Sequence, residues 1–127
     1  MMKKIILMSC ILVFAMTGNS LAACDNGTMI DSNICRSSNR MNWWSAYTWC
    51  EAQGLKLASV YDVCPSWDGS FGDSGNRCGK TYSTDDNQGW TSTAYSSDRA
   101  FAIQTSRGTV QVSYHRNLQL HSLCVAK

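Results

Sequence analysis

The sequence predicts a small, disulfide-stapled α+β domain with two short helices near its amino end, a long irregular loop and a C-terminal antiparallel sheet. Three observations lead there. Six cysteines, Cys24, Cys35, Cys50, Cys64, Cys78 and Cys124, follow a stretch that reads as an export signal, and an even set in an oxidising space points first to bridges. Apolar residues recur at helical spacing between Trp43 and Gly54, whereas period-two alternation belongs to the chain after Gln88. Between them, Ser66 to Gln88 shows neither period.

Lys3 and Lys4 precede an apolar run from Ile5 to Met16, then Thr17, Gly18, Asn19 and Ser20, then Leu21-Ala22-Ala23. This is the pattern of a secretory signal peptide over residues 1–23, charged in front, apolar in the middle and small at the cut. Its core is too short for a permanent transmembrane helix, and no second such stretch follows. One domain over residues 24–127 is therefore expected in the periplasm, on the cell surface or outside the cell. Cys10 leaves with the leader. Leu21-Ala22-Ala23-Cys24 also fits a lipoprotein cleavage box, in which an acylated Cys24 becomes the mature amino terminus and a lipid anchor. That alternative leaves five cysteines and an odd thiol, so parity favours simple secretion.

The whole chain has 11 basic and 9 acidic residues; without Lys3 and Lys4 the two signs balance. No basic tract remains for nucleic acid or an anionic membrane surface. Ser, Thr, Gly and Asn are abundant, Pro65 is the single proline, and all 5 Trp and 5 Tyr residues lie after the leader. Such a composition suits a loop-rich exported domain whose modest core is stapled by disulfides.

Taken in order, Asn26-Gly27 and Asp31-Ser32-Asn33 are turn signals around Thr28, Met29 and Ile30, a small hairpin that a Cys24–Cys35 bridge could close. Asn42 is a suitable N-cap. Trp43, Ala46, Tyr47 and Cys50 share one helical face, and Gly54 sits where a left-handed C-terminal residue is wanted. Leu55 and Leu57 alternate with Lys56 as a short extended piece. Ser59 and Asp62 have capping-box spacing for a second, brief helix that Pro65 ends. The long loop carries Trp67, Phe71 and Tyr82, and a Cys64–Cys78 bridge would give it shape. Trp90–Tyr95, Arg99–Thr105, Thr109–Tyr114 and Leu118–Val125 read as strands, with Ser106-Arg107-Gly108 as a turn. Phe101 and Ile103 share one face, as do Val110 and Val112.

The segment Trp44-Ser45-Ala46-Tyr47-Thr48-Trp49-Cys50, followed by Gly54, Leu55, Leu57, Ala58 and Ser59, resembles the first helix of C-type lectin-like domains. The stretch Gly89-Trp90-Thr91-Ser92-Thr93, with Ser97, Ala100, Phe101, Gly108, Val110, Leu123, Cys124 and Val125, is similar to the bacterial Lcl C-terminal and Fibrobacter major-paralogue domains. The resemblance implies a bridge from the helix cysteine, Cys50, to the last-strand cysteine, Cys124. It also likens Cys24 and Cys35 to the extra hairpin of the long form, leaving Cys64 for Cys78. It implies display of a variable loop surface for binding carbohydrate or another surface molecule. The departures matter: the calcium-dependent sugar triplets are absent, since Pro65 stands outside any such triplet and Trp90 is followed by Thr91 and Ser92. The final Arg-Cys-Val of the bacterial branch is Leu123-Cys124-Val125 here.

Catalysis through a thiolate needs a free cysteine beside a base, and His115 and His121 are the only histidines. With every cysteine paired that route closes, and His121, alternating with Leu120 and Leu118, reads as a sheet-face residue. Formylglycine-generating enzymes share the lectin-like fold, but no matching long insertion is present. Asp68, Asp73, Asp85 and Asp86 match no calcium-loop spacing and read as solvated carboxylates, so no cofactor or metal is expected. Trp43, Tyr47 and Trp90 are expected in the core. Trp67, Phe71, Tyr82, Tyr95 and Tyr114 have less reason to be inside, and beside Arg99, Arg116 and Asn117 they suggest a platform for sugar rings or a protein. The alternative for Tyr95 and Tyr114 is simple cross-strand pairing.

The expected function is non-catalytic, calcium-independent adhesion or recognition of a glycan or surface protein. The ligand-binding candidates are Trp67, Tyr82, Tyr95, Arg99, Tyr114, Arg116 and Asn117. The alternative is a structural envelope or surface component lipidated at Cys24. Mass spectrometry of the exported protein is expected to find a chain beginning at Cys24 with no acyl mass; a diacylglyceryl group there selects the lipoprotein alternative.

Overall fold

In a computed structural model, residues 24–72, 75, 77–83 and 88–127 are described, with backbone alone at 112–114. The leader expected over residues 1–23 lies outside the described residues. Local signals become elements much as their chemistry dictates. Strands β1 (Gly27–Asp31) and β2 (Ile34–Ser37) form the amino-terminal hairpin, and Asn26 takes a left-handed φ of 57° ahead of it. Helix α1 (Trp43–Ala52) starts where the Asn42 side chain accepts the Ser45 N–H at 2.8 Å, and it ends in Gly54 at φ 75°. Strand β3 (Leu55–Leu57) follows. Helix α2 (Val60–Val63) opens with a complete capping box: Ser59 Oγ accepts from Asp62 N, and Asp62 Oδ2 accepts from Ser59 N.

Strands β4 (Gln88–Ala94), β5 (Arg99–Gln104) and β6 (Thr109–His115) make an antiparallel meander, and β7 (His121–Ala126) ends the chain. The sheet order is β1-β2-β7-β4-β5-β6, with β3 also on β7. The last strand is thus central. It runs antiparallel to β2 and β3 but parallel to β4, through Gly89 opposite His121 and Trp90 opposite Ser122. This corrects the expectation of a purely antiparallel C-terminal sheet, because alternation marks a strand's faces but not the direction of its neighbour. Strand β7 also begins later than expected: Leu118 is exposed, and Leu120 makes only an isolated bridge to Met41. Gly89 is required at the β4–β7 contact, where an added Cβ would run into the Leu123 side chain.

Alternation through the strands sends apolar side chains to two core clusters on opposite faces of the sheet. Ala46 and Cys50 of α1 join Cys35, Leu57, Trp90, Ala100, Ala102 and Cys124 in one. Val60 and Val63 of α2 join Ile34, Trp67, Phe101, Ile103, Val110 and Leu123 in the other. The helix face is narrower than the spacing suggested. Ala46 and Cys50 are buried, Trp43 is half-buried, and Tyr47 is 44% exposed rather than in the core. Small residues at 46 and 50 bring α1 close to the sheet, which leaves the long Tyr47 ring at the margin.

The expected bridges Cys24–Cys35, Cys50–Cys124 and Cys64–Cys78 are all present. Three disulfides in so small a domain fit an oxidising, exported environment. Among the described residues no helix is long and apolar enough to cross a membrane. Replacing Cys50 and Cys124 together by alanine removes a cross-link spanning 74 residues of sequence; urea unfolding is expected to show a loss of about 4 kcal/mol.

Candidate functional site

Aromatic rings gather on the α2 side of the sheet. Phe101, on β5, is buried at their centre, and its face of the strand is set by alternation with Ala100 and Ala102. Trp67 packs edge-on against it at 5.0 Å between ring centroids, and Tyr61 of α2 meets Trp67 at 5.1 Å. Phe71 and Tyr95 reach Phe101 at 5.8 and 5.7 Å and each other at 5.8 Å. Tyr61, Phe71 and Tyr95 are 54%, 43% and 50% exposed. Two buried rings therefore support three exposed ones.

The long loop is held in place by backbone pairing to β6 and the β5–β6 turn, not by a core of its own. Gly72 N donates to Val110 O at 2.9 Å, Cys78 N to Gly108 O at 3.0 Å and Tyr82 N to Thr105 O at 2.8 Å. At its start, the Trp67 indole N–H donates to Ser70 O at 2.7 Å, while Asp68 Oδ1 accepts from Ser70 N at 2.9 Å. The Ser70 hydroxyl also donates to that carboxylate and holds it below the usual carboxyl range. These contacts set Phe71 beside Tyr95.

Tyr95 opens the β4–β5 turn, where its N–H donates to Arg99 O at 3.0 Å. The same turn gathers polar groups at the rim of the aromatic surface. Ser96 Oγ donates to Asp98 Oδ1 at 2.9 Å, which holds the Asp98 carboxyl below its ordinary value. Asp98 Oδ2 lies 3.6 Å from His115 Nδ1, and Arg99 Nη2 lies 3.4 Å from His115 Nε2. Arg116 donates through Nη2 to Ser96 O at 3.3 Å while its guanidinium lies 4.3 Å from the Trp43 ring centroid. Asn117 is exposed next to it. Donors and acceptors of both signs thus border an apolar platform.

The structure divides the sequence-derived candidates. Tyr95, Arg99 and Arg116 do come together around the β4–β5 turn, whereas Asn117 is exposed beside Arg116 in the chain. Trp67 does not offer an open face: at 9% exposure it is a core residue, because the bridged loop folds its ring back onto Phe101 and Val63 belongs to the same cluster. Tyr82 goes elsewhere. Its hydroxyl donates to the Val63 carbonyl, and Lys80 lies 4.9 Å from its ring centroid. Lys80 also pairs with Asp31 at 2.6 Å, lowering the Asp31 carboxyl below its ordinary value, in a cleft of about 180 Å³ between the amino-terminal hairpin and α2. Tyr114 pairs with Ala100 through its backbone, and its side chain lies outside the described residues.

Tyr61 was missed by the sequence reading, although the signal existed. Val60 and Val63 are one turn apart and must face the core, so the Tyr61 between them faces out. The Asp31–Lys80 pair joins positions 49 residues apart and left no local trace. Of the other residues considered, Asp68 is exposed, and Asp73, Asp85 and Asp86 lie outside the described residues. Among the described residues, no three His, Cys, Asp or Glu side chains gather as a metal-holding group. His121 is buried, its Nδ1 donating to Ser37 O at 2.7 Å, and His115 is exposed.

No protein-family model and no curated protein matches this chain.

Trp67 and the exposed rings are expected to behave differently on truncation. Trp67→Ala should cost about 3–5 kcal/mol in urea unfolding, whereas Phe71→Ser and Tyr95→Ser should each cost less than about 1 kcal/mol.

Proposed function

We propose that this chain is an exported domain of the C-type lectin-like kind and acts as a non-catalytic recognition module. Its ligand is a glycan or a protein displayed on a surface, bound without calcium. The observation that carries this reading is the exposed Tyr61, Phe71 and Tyr95 surface backed by buried Trp67 and Phe101. Rings already held by other rings lose little side-chain freedom when a ligand stacks on them. An apolar centre with a polar rim is the anatomy of a binding surface, and Arg99 and Asp98 supply hydrogen-bonding groups at the rim.

The covalent state of the cysteines supports the non-catalytic part. All six are in bridges, so none offers a thiolate nucleophile. His121 is occupied by Ser37 O inside the fold, and exposed His115 lies between Asp98 and Arg99.

A glycan array and a pull-down from cell-surface extract, each run with and without EDTA, test the reading. Binding is expected in one of them, unchanged by EDTA and weakened about tenfold or more in the Phe71→Ser/Tyr95→Ser double variant. Silence in both, or full binding by the double variant, would leave the structural-component alternative.

A further inference from the structure

The Cys24–Cys35 and Cys50–Cys124 bridges lie side by side. Cys35 on β2 stands directly opposite Cys124 on β7 in antiparallel register, and residues so opposed point to the same face of the sheet. Cys35, Cys50 and Cys124 are fully buried in the cluster beneath α1, and half-buried Cys24 packs against them. Opposed antiparallel residues hold their Cα atoms about 4.5–5.5 Å apart. A cystine spans about 4.4–6.8 Å, and the two bridges themselves span 5.7 and 5.5 Å. Cys35 therefore has two cysteines within the reach of a disulfide, Cys24 by bond and Cys124 by register. Cys64–Cys78 takes no part, since it belongs to the cluster on the opposite face.

The four sulfur atoms have unequal surroundings. A thiolate arriving from solution meets Cys24 first, because the other three are closed to solvent. Ser122 supplies the remaining piece. Its buried hydroxyl oxygen lies 3.0 Å from Cys50 Sγ and 3.6 Å from Cys124 Sγ, against both atoms of the second bridge. In the bridged state that hydroxyl donates to Ala46 O at 3.0 Å. Its hydrogen is free to rotate. Turned to Cys50 Sγ, it stabilises that sulfur as a thiolate, and a stabilised thiolate is the better leaving group.

We propose that the two bridges form a thiol–disulfide relay leading from the surface of the domain to α1. An external thiolate attacks Cys24 Sγ, the bond to Cys35 breaks, and the external sulfur is left bonded to Cys24. The Cys35 thiolate so released attacks Cys124 Sγ, forming Cys35–Cys124 and expelling the Cys50 thiolate beside Ser122. Cys50 then takes up the proton that the external thiol lost. Two disulfides stand before and after, so the exchange consumes no oxidant and no reductant. Its outcome is a cross-link between β2 and β7 in place of the one between α1 and β7. The helix loses its covalent tie to the sheet, and a thiol in the surroundings is read out as a loosened α1.

The test is exposure of the exported, oxidised protein to glutathione under native conditions, then acid quench, denaturation, alkylation and peptide mapping. Glutathione on Cys24, alkyl label on Cys50 and a Cys35–Cys124 cystine are expected, with faster hydrogen exchange of the α1 amides in the same sample. Cys24→Ser starts the relay without glutathione, since Cys35 then has no bonded partner, and it should carry label on Cys50. Ser122→Ala should slow the appearance of labelled Cys50 about tenfold or more, while glutathione still reaches Cys24 at the same rate. Near-UV circular dichroism checks that both variants are folded. The proposal is overturned by label confined to Cys35 with Cys50–Cys124 intact, in the glutathione-treated protein and in Cys24→Ser alike. It is equally overturned by glutathione failing to join Cys24, or by α1 amides that exchange no faster once Cys50 is labelled.

Discussion

The Cys50–Cys124 bridge is the constraint on which the rest of the structure depends. It ties the longer helix to the strand that meets most of the sheet, since β7 pairs with β2, β3 and β4. Cys124 lies opposite Cys35 on one side and Leu57 on the other, so two of the three bridges meet at one level of the sheet. Ser122 extends the attachment. Its hydroxyl donates to Ala46 O and its N–H to Ser37 Oγ, joining α1, β2 and β7 through one buried residue. In a chain of this size such cross-links offset the ordering entropy that a small apolar core cannot offset alone.

Much of what looks chemically rich in the sequence is occupied by this framework. The Trp90 indole N–H donates to Met41 O and the Trp43 indole N–H to Thr91 O, so α1 and β4 hold each other's flanks. Thr91 Oγ1 donates to Phe101 O, and Thr93 Oγ1 accepts from Val60 N at the start of α2. Residues Trp90 to Thr93 thus connect helix, sheet and second helix. Among the described residues, exposed rings remain on two outer surfaces, Trp44 and Tyr47 on α1 and Tyr61, Phe71 and Tyr95 beyond α2.

Local chemistry was legible. The Asn42 cap, Gly54, the Ser59–Asp62 capping box and the hairpin around Asp31-Ser32-Asn33 each depend on neighbours a few residues away, and each is found where the residues put it. Tyr47 was misplaced because its spacing fits the buried face while its size does not fit a helix seated on Ala46 and Cys50. Trp67 was misplaced because a loop without periodicity gives no inside or outside; the Cys64–Cys78 closure and the Phe101 ring decide it. The exposed surface was half legible: Tyr95 and its polar neighbours were named, whereas Tyr61 joined it only when α2 was docked.

By itself, the sequence determined the even set of six cysteines after Ala23, the short elements and their caps, and an α+β class, because these follow from residue type and near-neighbour spacing; the Cys50–Cys124 pairing was implied by the family resemblance. Only the tertiary structure decided that the last strand lies in the middle of the sheet, parallel to β4, and that Asp31 meets Lys80. Those outcomes depend on which distant segments fill the same space, and a period of two is the same for either neighbour and either direction. The division of the aromatic residues into supporting and exposed rings was settled in the same way, by packing around Phe101, because a ring's burial depends on what is folded against it.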